Sequence, residues 1–126
     1  MANADKKILI VEDDKNFLWI LKQSFSTEGF TVLTAEDGEM GLDVAEREKP
    51  DIILLDILMP KMDGIAVAKK LKELGNRAQV MFLTNLKDVQ HISEAMDTVK
   101  ETDYIVKSDF HVDAIVTMVK AKLGIK

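Results

Sequence analysis

The chain has 126 residues, 47% of them hydrophobic and 31% charged, a balance that fits one folded unit with its own core and argues against general disorder. It contains no cysteine, which excludes disulfides and thiolate metal sites and allows a reducing compartment. Its formal charge of -5 lacks the basic footprint that binding a nucleic-acid backbone requires, and no apolar run approaches the roughly 20 residues of a bilayer-spanning helix.

The opening Met1-Ala2-Asn3-Ala4-Asp5 has no apolar centre of the kind a signal peptide needs. We therefore expect a cytoplasmic domain over residues 1–126, with no direct nucleic acid and no membrane among its partners. Ile8 to Val11 is a short β-branched run, too brief for a helix and suited to a strand buried on both faces. Phe17-Leu18-Trp19-Ile20-Leu21 follows with helical length but is apolar all round, whereas a helix on a sheet buries one stripe. Its inward set is Phe17 or Ile20 with Leu21 and Ser24, which leaves Leu18 or Trp19 exposed. A second strand is predicted at Phe30 to Leu33, then a shorter helix marked by Leu42 and Ala45 that Lys49-Pro50 must end. Ile52 to Leu55 predicts a third strand. Val67, Leu71 and Leu74 line a helix that Gly75 caps. Val80 to Leu83 predicts a fourth strand, and Val89, Ile92, Met96 and Val99 another helical stripe. Tyr104 to Val106 predicts the fifth strand, and Val112, Ile115, Val116, Val119 and Leu123 the last helix.

Strand and helix alternate five times, with no linker, repeat or low-complexity stretch. Such alternation implies an α/β fold, a doubly wound parallel sheet with helices on both faces joined by right-handed crossovers. Ligands in such folds sit beyond the carboxyl ends of the strands. The first strand is followed by Glu12, Asp13 and Asp14, the third by Asp56, the fourth by Thr84, and the fifth by Lys107. Three ionised carboxylates in one crevice repel strongly, by roughly 3 kcal/mol per pair at about 5 Å and an effective dielectric near 20. One divalent cation together with Lys107 would restore neutrality, and an oxygen-only donor set favours Mg²⁺. Asp14 on its own is explained as the cap of the following helix.

Two runs have a specific resemblance. Ile8-Leu9-Ile10-Val11-Glu12-Asp13-Asp14 and the stretch from Pro50 through Asp56 to Pro60-Lys61-Met62-Asp63-Gly64 are similar to the opening and phosphoacceptor segments of two-component response-regulator receiver domains, the CheY-like family. Leu83-Thr84 and Tyr104-Ile105-Val106-Lys107 complete the set, and the likeness covers essentially the whole chain. It implies a flavodoxin-like fold with five strands in the order 2-1-3-4-5, in a phosphorelay signalling module rather than an enzyme. By the same resemblance Asp56 accepts a phosphoryl group from a histidine kinase or histidine phosphotransfer protein. Asp13, Asp56 and the Leu58 carbonyl would bind Mg²⁺ with Glu12 close by, and Thr84 and Lys107 would hold phosphoryl oxygens. Thr84 and Tyr104 would form the switch. It would change a surface made of the helix from about Leu86 to Val99, the fifth strand and the last helix, where a downstream protein binds; dimerisation on phosphorylation is a further expectation.

The chain departs from the family pattern in places. Ser108 stands where proline usually follows the lysine, so a trans bond is expected there. Asn85 is bulkier than the family's usual residue, and Leu58 and Leu86 are apolar beside the phosphoryl position, which predicts slow hydrolysis. Val99-Lys100-Glu101-Thr102 lacks the glycine common before the last strand. Three other functions compete, and the first, a degenerate receiver that binds partners without phosphorylation, is opposed by the presence of Glu12, Asp13, Asp56, Thr84 and Lys107 together. A Mg²⁺-dependent phosphohydrolase would need a general acid two residues after the nucleophile, where Leu58 stands. A phosphohistidine carrier would use His91 or His111, but neither has catalytic company.

Overall fold

In the computed structural model the described residues are 6–59, 61–84, 103–107 and 111–125. Five strands form one parallel sheet: β1 (Lys7–Val11), β2 (Thr31–Ala35), β3 (Ile52–Asp56), β4 (Gln79–Thr84) and β5 (Asp103–Val106). Their spatial order is β2-β1-β3-β4-β5, the order expected from the sequence. The described helices are α1 (Lys15–Thr27), α2 (Gly38–Glu48), α3 (Gly64–Glu73) and α4 (Val112–Lys122). Among the described residues, no helix is long and apolar enough to cross a membrane.

Side chains that alternate along each strand sort the interior into two halves. Leu9, Val11, Ile53, Leu55 and Phe82 face α2 and α3, where Val44, Ala45, Val67, Ala68 and Leu71 cover them. Ile8, Ile10, Ile52, Leu54, Leu83 and Ile105 face α1 and α4, against Leu21, Phe25, Ile115, Val116 and Val119. β1 and β3 are central and apolar on both faces, which is why their sequences run apolar without alternation.

The sequence placed the elements closely but not everywhere. β2 starts at Thr31 rather than Phe30, because the Phe30 ring turns into the core and meets Phe25 edge-on, with centroids 5.5 Å apart and planes at 81°. In α1 the inward stripe is Phe17, Leu18, Leu21 and Phe25, with Leu21 and Phe25 fully buried. Ile20 turns outward, and Trp19 is 62% exposed. With Leu21 fixed toward the sheet, a residue one position earlier lies about 100° around the helix and leaves the stripe. Leu74 is exposed too, because α3 ends one residue before it and Gly75 turns the chain at φ 75°. The stripe from Val89 to Val99 lies outside the described residues.

Candidate functional site

The site is built at the carboxyl ends of β1, β3 and β5. Pairing of Val11 with Leu55 and of Ile10 with Leu54 brings the ends of β1 and β3 level, so Glu12 and Asp56 emerge side by side. Thr84 ends β4 opposite Val106, one residue before Lys107. Two acids are buried among the described residues: Glu12 at 0% exposure and Asp56 at 5%. Oxygens of Glu12, Asp13 and Asp56 all lie within 4.8 Å of one another, with Asp13 on the exposed side.

The turn after β1 fixes Glu12 and caps the helix that follows. The Asp14 N–H donates to Glu12 Oε2 at 3.0 Å, and Asp14 Oδ1 accepts from the N–H groups of Asn16 and Phe17 at 3.0 and 3.2 Å, capping α1. The loop after β3 is equally constrained. The Ile57 N–H donates to the Leu83 carbonyl at 3.2 Å and the Gly64 N–H to the Ile57 carbonyl at 2.9 Å. Asp63 caps α3 through Ala66 N–H at 2.8 Å, and Lys61, at φ 71°, pairs with Asp37 on the cap of α2 at 3.6 Å. A Cβ on Gly64 would stand 2.1 Å from the Asp56 carbonyl oxygen, so only glycine fits there. Leu58 lies on this loop with its side chain 47% exposed.

Among the described residues, Lys107 is the cation that faces the acids. Lys107 Nζ is 2.6 Å from Glu12 Oε1 and 3.4 Å from Asp56 Oδ2. The approach to Glu12 is an ion pair without hydrogen-bond alignment, so Oε1 remains a buried oxygen with no directional donor. Burial and then the Glu12 charge push the Asp56 carboxyl up to about 8, against a smaller downward pull from Lys107. Burial works to lower Lys107, but Glu12 and Asp56 outweigh it and hold its pKa above the ordinary value. Three carboxylates and one ammonium leave negative charge unbalanced. Two buried carboxylates beside a third, exposed one form an all-oxygen donor set suited to a hard divalent cation.

The family model for the response regulator receiver domain matches residues 8–120. This chain belongs to that family. Sporulation initiation phosphotransferase F of Bacillus subtilis (strain 168) is 32% identical over 122 residues, covering 97% of this receiver chain and 97% of that protein. The alkaline phosphatase synthesis transcriptional regulatory protein PhoP of the same organism is 42% identical over 80 residues. That match covers 64% of the receiver chain but only 33% of PhoP, so the chain spans about a third of that relative's length. Among solved structures, the response regulator protein TrrA of Thermotoga maritima, in complex with Mg(2+)-BeF, is similar at a TM-score of 0.79 and 31% identity. It covers 92% of this chain and 97% of that one.

Of the residues singled out from the sequence, the fold brings Glu12, Asp13, Asp56 and Lys107 together. Leu58 lies two residues beyond Asp56 on the same loop. The Thr84 backbone ends β4 at the same rim, but its side chain lies outside the described residues, as do Asn85, Leu86, His91, the segment from Leu86 to Val99 expected from sequence to be helical, and the peptide to Ser108. Tyr104 is on edge strand β5, paired with Phe82 and 41% exposed. His111 stands at the N-cap of α4, exposed and making no side-chain capping bond. The sequence reading missed the aromatic neighbour of the lysine: Lys107 Nζ lies over the Phe17 ring, 5.3 Å from its centroid. Phe17 looks like a core residue in sequence, and only its place three residues after the capping Asp14 hints that it sits beside the site.

Proposed function

We propose that this receiver domain accepts a phosphoryl group on Asp56 from a phosphohistidine of a partner kinase or phosphotransfer protein, in a Mg²⁺-dependent step. The observation behind this reading is the cluster itself: Glu12, Asp13 and Asp56 within 4.8 Å, with Lys107 reaching both buried acids. Asp13, Asp56 and the Leu58 carbonyl would hold the ion, with Glu12 close by. When bound, the ion supplies the positive charge that lets the acids ionise together and offsets charge on the phosphoryl oxygens.

The protein's own part is positioning. An ionised Asp56 is already a nucleophile and needs no protein base. Its carboxylate oxygen forms the new P–O bond as the donor's P–N bond breaks, and the imidazole leaves with the electron pair. Lys107, already aimed at Asp56 Oδ2, would take up a phosphoryl oxygen, and Thr84 would hold another. Such placed charges supply most of what phosphoryl transfer requires of a protein. The added charge on Asp56 would then bias a switch through Thr84 and Tyr104 toward a state that a downstream protein recognises on the β5 and α4 side. Tyr104 stands exposed on the edge strand, beside the end of β4 that carries Thr84. Apolar Leu58 beside the site orients no water, which supports slow hydrolysis of the phospho-aspartate.

Incubation with acetyl phosphate and Mg²⁺ should add one phosphate by intact mass, and the adduct should vanish in Asp56→Ala and on chelation of the metal. Steady release of phosphate with no adduct at any time would refute the proposal in favour of a hydrolase.

A further inference from the structure

We infer that Phe17 is a positioning residue for Lys107, holding the ammonium through the face of its ring. The inference rests on the reading of Lys107 as the group that meets the phosphoryl oxygens. Lys107 sits at the end of an edge strand on a stem of four methylenes, and such a stem is free to swing unless something anchors its head. Two anchors are carboxylates, Glu12 Oε1 at 2.6 Å and Asp56 Oδ2 at 3.4 Å. Both are weakened whenever a divalent cation shares those oxygens. The third anchor is the Phe17 ring, 5.3 Å from Nζ, within the distance at which a ring face attracts a cation. It carries no net charge, does not compete for the metal, and persists when the carboxylates are otherwise engaged.

The ring is itself held in place. Its backbone N–H donates to Asp14 Oδ1 at 3.2 Å, and its side chain packs partly buried against the α1–α4 half of the core. The Asp14 N–H in turn fixes Glu12 Oε2. One capping turn therefore sets both the acid and the aromatic that face the lysine.

Isotope-labelled protein should show the Lys107 ε-methylene protons shifted upfield by the ring, with the shift lost in Phe17→Leu and kept in Phe17→Tyr. The rate of Asp56 adduct formation from acetyl phosphate and Mg²⁺ should fall about threefold to tenfold in Phe17→Leu and recover in Phe17→Tyr. Wild-type speed in Phe17→Leu would overturn the inference, and so would ordinary ε-methylene shifts in the wild-type protein, a measurement that stands even if the leucine variant does not fold. Failure of the wild-type protein to form any adduct would instead overturn the phosphoacceptor reading beneath it.

Discussion

At the scale of single residues, the site sacrifices stability for chemistry. Asp56 is pushed up to about 8, first by burial and then by Glu12, whereas in the unfolded chain it titrates near 4. Between about pH 4 and pH 8 the folded metal-free protein therefore binds more protons than the unfolded one. The contribution of Asp56 to stability therefore falls as pH rises through that window. Asp56→Asn removes the cost, so the variant should unfold at a higher temperature than wild type at pH 8, by about 4–8 °C for 1–2 kcal/mol. The gap should close toward pH 4, and Mg²⁺ should stabilise the wild-type protein much more than the variant. Thermal melts at several pH values test this, and parallel curves for the two proteins would count against the buried-acid account. Glu12, Asp13, Asp56 and Lys107 were legible from sequence because each directly follows a strand, or nearly so. Phe17 was not, because an aromatic at helical spacing reads the same whether it faces a core or a lysine.

At the scale of elements, turns rather than strands set the geometry. Gly64 opens α3 where a Cβ would stand 2.1 Å from the Asp56 carbonyl oxygen. Gly64→Ala should cost roughly 2–4 kcal/mol and slow adduct formation, since the loop must move off the nucleophile's own backbone. Urea unfolding and the mass assay would register both effects, and an alanine variant as stable as wild type would contradict the tight fit. Strand positions were readable because short apolar runs such as Ile52-Ile53-Leu54-Leu55, too brief for a helix, have one use in an alternating chain. Phe30 and Ile20 were not. The first is an apolar residue that completes a corner rather than a strand, and the second belongs to a helix with more apolar residues than its sheet-facing stripe can hold. The pairing of Lys61 with Asp37 was equally hidden, since it joins two loops that meet only after the sheet has formed.

At the scale of the whole molecule, the order β2-β1-β3-β4-β5 was legible from alternation together with the family likeness, and the division of the interior into two halves follows from strand parity. Ile8, Ile10, Ile52 and Leu54 line one half, and Leu9, Val11, Ile53 and Leu55 the other, and none of these eight faces water. Amide hydrogen exchange should be slowest along β1 and β3, approaching the rate set by global unfolding, and faster on β2 and β5 at the edges. Equal protection of edge and centre would contradict that gradient. The same order has a consequence for synthesis. β1 is made first yet ends in the middle, and its second neighbour is not complete until Asp56 leaves the ribosome. Until then one side of its backbone stands unpaired, so the nascent chain must pass through a stage in which a strand interior to the finished sheet has an open edge.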